Sequence, residues 1–143
     1  MQPEILTYIQ SQRVGVLAIE MLDGSPHAAT VHYAHGEDTH VFYFETSNKY
    51  RKSEALLGRS VNRASLVIGA SETEMKTLQL DGEVRVITAE EKSAFDDIYF
   101  KKFPEKKAKA ENNPDIISFV FSPLWWRFTD WTAPEGKKII TSQ

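Results

Sequence analysis

The stretch His40-Val41-Phe42-Tyr43-Phe44-Glu45-Thr46-Ser47-Asn48-Lys49-Tyr50-Arg51-Lys52 changes character in its middle. From Thr39 to Phe44 it is dense in β-branched and aromatic residues, which read as a strand. Two hydroxyls follow, and then cations. Arg51 to Leu57 has the composition of a short helix closed by Gly58, with Thr46 and Ser47 as its expected caps. A strand that feeds a short helix through a hydroxyl-rich, basic corner is the pivot of the chain.

Upstream, Pro3 suits the first turn of a helix, with Ile5, Leu6 and Ile9 on one face. The apolar run Val14 to Ile19 reads as a buried strand, Asp23-Gly24-Ser25-Pro26 as a turn, and His27 to Ala34 as a second strand. Two adjacent hairpins are therefore expected to open the fold. Downstream, Ala64 to Gly69 and Met75 to Ile87 alternate as strands, with a bulge or bend at Asp81-Gly82. Thr88 with Glu91 forms a capping box for a helix that runs to about Phe103, buries Phe95, Ile98 and Tyr99, and ends at Pro104. Glu105 to Asn113 reads as an exposed helical turn or two. Ile116 to Phe121 and Leu124 to Thr129 read as two strands split by Ser122-Pro123, and the polar tail 133–143 is expected to be mobile. The pattern predicts a mainly β fold, a six-stranded antiparallel barrel with short helices, as one domain over 1–143.

The chain has 143 residues, of which 41% are hydrophobic and 26% charged, enough to bury a core and too apolar for disorder. With no cysteine, disulfides, thiolate metal sites and a cysteine nucleophile are excluded. No apolar run approaches the roughly 20 residues of a membrane span. The N-terminus lacks the pattern of a signal peptide, so a cytoplasmic location is expected. A net charge of −3 argues against a nucleic-acid partner. The charge is uneven, however. Residues 1–45 hold six acids against Arg13 alone, whereas 49–63 hold Lys49, Arg51, Lys52, Arg59 and Arg63 against only Glu54. The six lysines of 92–109 are matched by acids and read as a solvated face.

A local cationic cluster in an acidic chain suits a small anion. Hydroxyls from Thr46 and Ser47, helix amides, and the charges of Arg51 and Lys52 would each donate to a phosphate. Equally, Ser47 caps a helix and the two cations are solvated. Dinucleotide and P-loop fingerprints are absent, as is a nucleophile elbow. The four histidines lack metal-ligand spacing. His32 is expected to face a ligand groove, and His35 and His40 to be satisfied or solvent-facing. Period-two alternation puts Trp125, Arg127, Thr129 and Trp131 on one face and Leu124, Trp126 and Phe128 on the other. One of these faces is core, and the other suits a subunit interface or a flat ligand.

In order and spacing, these segments resemble the FMN-binding split-barrel proteins related to pyridoxamine 5'-phosphate oxidase. The matching pieces are Val14 to Ile19, Asp23 to Val31, Phe42 to Ser47, Arg51-Lys52, Arg63 to Val67, Asp81 to Val84 and Ser122 to Phe128. The resemblance implies a split barrel and a homodimer with FMN at its interface. It places the phosphate on Arg51, Lys52, Thr46 and Ser47, and the ring along Ala29, Thr30, Val31 and His32. Trp126 or Trp125, with Arg127, would reach the ring from the partner subunit, Trp126 being the one expected. Where the true oxidase has an arginine in the ring-lining strand this chain has Ala29, and the oxidase's C-terminal substrate motif is missing. The chain is thus more similar to the shorter, stress-protein-like members. It implies a flavin-dependent oxidoreductase with NAD(P)H or a small molecule as reaction partner. The alternative is a module of the same dimeric fold that stores or senses flavin or haem without turnover; other relatives bind a deazaflavin.

Overall fold

A computed structural model describes all 143 residues. Its elements follow the apolar periodicity closely. Helix α1 (Pro3–Ser11) buries Ile5, Tyr8 and Ile9, and leads into strands β1 (Val14–Glu20) and β2 (Pro26–His32). Strand β3 (Ala34–Gly36) and β4 (Val41–Ser47) come next, then helix α2 (Lys52–Gly58) and strands β5 (Asn62–Ile68) and β6 (Lys76–Val86). A 3-10 turn opens α3 (Lys92–Lys102), a second precedes α4 (Lys107–Asn112), and β7 (Ile116–Asp130) and β8 (Lys138–Thr141) complete the chain. No helix is long and apolar enough to cross a membrane.

All strands join one antiparallel sheet in the order β2-β1-β5-β6-β7-β4-β3, with β8 added on β7. The two hairpins expected to be adjacent lie instead at opposite ends of this path. Only Tyr33 separates β2 from β3, so the sheet must curl until its two ends meet. This is a split barrel, mainly β. Tyr33 is pinned at the break: its amide donates to the Arg13 carbonyl at 3.1 Å and its hydroxyl to the Ile9 carbonyl at 2.6 Å. The continuous strand expected over His27 to Ala34 is broken here because Tyr33 pairs with α1 and its linker rather than with the sheet.

Inside the curl, Leu17, Leu66, Leu78, Leu80, Phe44, Phe119 and Phe121 form the main core, with Ile5 and Ile9 of α1 plugging it. A second apolar layer packs α3 on the outside of β3, β4 and β7 through Phe95, Tyr99, Phe100 and Phe103. Ile98, expected to be buried there, is only partly covered. The capping box forms as read: the Thr88 amide donates to Glu91 Oε1 at 2.8 Å, and Arg85 grips the same carboxylate at 2.6 and 2.9 Å. That fork, with the cap, holds Glu91 down to about 2 against its partial burial.

Two expectations for the C-terminal third are corrected. Ser122-Pro123 does not split the strand, and β7 runs through it. Asp81 pairs with Trp125 and Gly82 with Pro123, which leaves Leu124 as the extra residue of a bulge. Leu124 is accordingly 73% exposed rather than sharing the core face of Trp126 and Phe128. Gly82 permits the crossing, since a Cβ there would lie 2.1 Å from the Ser122 carbonyl oxygen. The tail, expected to be mobile, is drawn into the sheet as β8. Arg127 pairs with Thr141 and Asp130 with Lys138, and with β8 the sheet reaches eight strands rather than six.

Candidate functional site

Thr46 and Ser47 end β4 and do not cap α2. Their backbones are committed to the sheet opposite Ile117 and Ile116, and residues 48–51 form a turn before the helix begins. Arg51 holds the cap position, already helical and without a side-chain cap. Strand and helix are tied elsewhere, by the Ser53 hydroxyl, which donates to the Ser47 carbonyl at 2.6 Å. Ser47 Oγ accepts the Lys49 amide at 3.2 Å.

This corner holds polar groups without partners. Thr46 Oγ1 is buried with no hydrogen bond. Lys52 is buried, lies 5.0 Å from the centre of the Tyr50 ring, and pairs with none of the carboxylates. Burial lowers its pKa. Arg51 is exposed at the mouth, close enough to the β1–β2 turn to help keep Asp23 acidic, after the hydrogen bonds from Ser25 that dominate there. Across α2, Asn62 at the start of β5 is buried with its Nδ2 unpaired, while its Oδ1 accepts from Arg59 at 3.3 Å. Nothing in the sequence marked Asn62. It belongs to no motif, and only the return of β5 to this end of the barrel brings it here.

The expected ring-lining residues Ala29, Thr30, Val31 and His32 lie on β2, which pairs only with β1 and so has one free backbone edge. Val31 faces the core, whereas Thr30 and His32 face outward. Strand β2 begins at the turn near Arg51 and carries His32 away from it, to Phe103, whose ring centre is 5.3 Å from the imidazole. Trp126 is not brought to this corner within the chain. It packs partly against the main core, and its amide donates to Ser142 Oγ at 2.9 Å. It lies ten residues along β7 from Ile116, the partner of Ser47, which is on the order of 30 Å of strand.

His35 departs furthest from expectation. It is only 5% exposed, and neither ring nitrogen has a partner. It stacks on His40 at 5.8 Å and tilts against Phe42 at 4.8 Å. Desolvation, aided by His40, Lys102 and the N-terminal ammonium, depresses it to about 4. The turn that buries it holds His40 at φ 53°. His35 lines a cavity of about 720 Å³ between this turn and α3. No group of three or more His, Asp or Glu side chains is placed to hold a metal ion.

The curled sheet with its outer helix is shared with known proteins. The family model described as pyridoxamine 5'-phosphate oxidase matches residues 1–130. The chain belongs to the pyridoxamine 5'-phosphate oxidase family. A search of curated proteins returns no match. Among solved structures, a haem-binding protein from Mycobacterium smegmatis superposes with a TM-score of 0.75 at 17% identity, over 100% of this chain and 59% of that one. This chain therefore spans about three fifths of that protein. A protein related to general stress protein 26, from Clostridium acetobutylicum, gives 0.71 at 15% identity, covering 98% and 92% of the two chains. The haem storage protein HutZ from Vibrio cholerae gives 0.70 at 18%, covering 85% and 89%. At these identities the likeness is one of fold.

Proposed function

We propose that this pyridoxamine 5'-phosphate oxidase family member binds FMN as a homodimer and works as a flavin-dependent oxidoreductase. The observation that carries this reading is the β4–α2 corner, where a buried hydroxyl without a partner, Thr46, and a largely covered lysine that pairs with no carboxylate, Lys52, flank the same turn. Unmatched buried donors cost stability unless an acceptor meets them. A phosphate supplies several acceptor oxygens at once, and Arg51 and Ser47 would complete its coordination. The free edge of β2, at Ala29 to His32, offers unpaired backbone groups to the polar rim of a flat heterocycle. Two further features support a dimer: the corner lines neither the 720 Å³ cavity beside α3 nor a second cavity of about 540 Å³ between Glu20, Arg63 and Asp81, and Trp126 lies too far along β7 to cover a ligand from its own chain. When bound, FMN supplies hydride or electron transfer. The chain supplies phosphate binding, orientation and exclusion of water. NADH or NADPH is the electron donor proposed.

A second reading, haem binding without turnover, is favoured by the haem-binding and haem-storage relatives and by the buried, unpartnered nitrogens of His35. One experiment separates the two. The purified chain is incubated with FMN or with haem, gel-filtered, and its visible spectrum recorded, then challenged with NADH and NADPH. Flavin bands that co-elute with a dimer, and are lost when Arg51→Ala is combined with Lys52→Ala, support the first reading. Flavin retained but never reduced leaves binding without oxidoreductase activity. A Soret band that depends on His35 replaces FMN by haem, and a chain that retains neither removes both.

A further inference from the structure

The tip of the β3–β4 hairpin is supported unevenly. Toward α3 its turn, Glu37 to His40, borders the cavity of about 720 Å³, whose far wall includes Ala94, Asp97 and Lys101. Toward the barrel it is held by an imidazole pair. His35 lies opposite Phe42 across the two strands, so the two rings share the face that closes the main core, 4.8 Å apart, and His40 stacks on His35 at 5.8 Å. Neither nitrogen of His35 nor Nδ1 of His40 has a hydrogen-bond partner, and all three are shielded from water. His40 adopts φ 53°, a left-handed conformation that stores strain in residues other than glycine. The one side-chain tie from the turn to α1 is exposed: Gln10 Nε2 donates to Glu37 Oε1 at 3.2 Å.

Packing can keep a neutral imidazole in this position but not a protonated one. Desolvation opposes a charge on His35 first, and every charged group that acts on it adds to that: His40 from its own hairpin, Lys102 from α3 and the N-terminal ammonium ahead of α1. No carboxylate is among them. The acids of the neighbourhood, Glu37 and Asp38 in the turn and Asp97 on α3, line the cavity instead. An imidazolium is therefore better satisfied once the turn is displaced and water and those carboxylates can reach it. The cavity gives the turn room to move without emptying either core. His35 binds its proton near 6.5 when freed and near 4 when held, so opening gains as the pH falls through that interval.

We propose that His35 and His40 form an acid-sensitive latch on the β3–β4 hairpin: protonation of His35 breaks the stack and frees residues 36–41 as a unit while the rest of the barrel stays folded. The latch involves neither FMN nor the β4–α2 corner, so it is tested on the ligand-free chain whatever the fate of the proposed function.

The test is native-state hydrogen exchange of the full chain, read amide by amide at about pH 7 and about pH 5 with intrinsic rates divided out. The hairpin amides of Ala34 to Gly36 and of Val41 are compared with Leu66 in β5 and Leu80 in β6. At both pH values the hairpin amides are expected to be less protected than Leu66 and Leu80 and less sensitive to low concentrations of urea, the signature of a local opening. Their protection should fall about twentyfold between the two pH values, the linkage of a group held near 4 and freed near 6.5. In His35→Leu that fall is expected to vanish, and His35→Phe, which keeps a ring against Phe42, repeats the test if the leucine variant does not fold. Hairpin amides that match Leu66 and Leu80 at each pH overturn the proposal, because the opening is then global. So do hairpin amides that already exchange freely at neutral pH, protection that does not fall with acid, or a fall that survives the loss of the His35 imidazole.

Discussion

Two basic regions of this chain lie at opposite ends of β2, and they differ in how they are assembled. At the β4–α2 corner Arg51 and Lys52 are neighbours in sequence, so the charge is built in before the chain folds. Around Phe103 the charges come from positions 13, 102 and 106, and folding alone gathers them. The first region opposes burial to one ammonium. The second opposes several cations to one another on an aromatic face. Charge density in the sequence therefore finds a cluster made by one turn, and misses one gathered where a helix docks on a sheet.

The contrast breaks most severely if its platform is removed. Phe103 is fully buried, and Phe103→Ala is expected to cost about 3–5 kcal/mol by the loss of packing and the cavity left behind. Urea denaturation measures this, and the same variant should scatter the Arg13, Lys102 and Lys106 cluster while sparing the β4–α2 corner. An intact cluster in a stable Phe103→Ala protein would mean that the cations are not organised by that ring.

Acid tests a neighbouring buried group, His35 of β3, which packs against Phe42 of the main core. His35 titrates near 6.5 when unfolded and is depressed to about 4 when folded, so the unfolded chain binds the proton first. Its contribution to stability is intact above about pH 6.5 and is lost as the pH falls to about 4, up to roughly 3 kcal/mol at 1.36 kcal/mol per pKa unit. His35→Leu should flatten this part of the stability–pH curve measured by denaturant. An identical curve for the two proteins would show that His35 is free to protonate in the folded state.

The smallest change in stability is expected at the corner. Lys52→Met replaces a largely covered lysine that pairs with no carboxylate by an apolar chain of similar length, and the ligand-free protein should keep its stability to within about 1 kcal/mol or gain slightly. Flavin affinity should fall about ten- to a hundredfold, the loss of one charged hydrogen bond. A large loss of stability with unchanged flavin binding would make Lys52 a structural residue and leave the corner without a ligand role.

Much of the fold was legible because alternation and punctuation are local. The capping box at Thr88, the helix ended by Pro104 and the irregularity at Asp81-Gly82 depend on residues a few places apart, and all three are found. The errors arose where a distant partner overrode a local signal. Thr46 and Ser47 have the chemistry of caps, but β7 holds their backbones in the sheet. Ser122-Pro123 has the chemistry of a break, but opposite Gly82 it becomes a bulge, and the strand continues. The tail is mostly polar, yet the edge of β7 accepts it and Ile140 packs against the main core.

Sequence by itself determined the strand-rich pattern, the positions of most turns and the basic corner, because each is fixed by side-chain periodicity or by neighbours along the chain. Tertiary structure decided which strands pair. It curled the sheet so that β2 and β3 meet through Tyr33, and so buried His35 without a hydrogen bond. It also brought Arg13 across some ninety residues to Lys102 and Lys106. Contacts of that kind are set by the packing of α3 on the barrel, and no window of sequence shorter than the domain contains them.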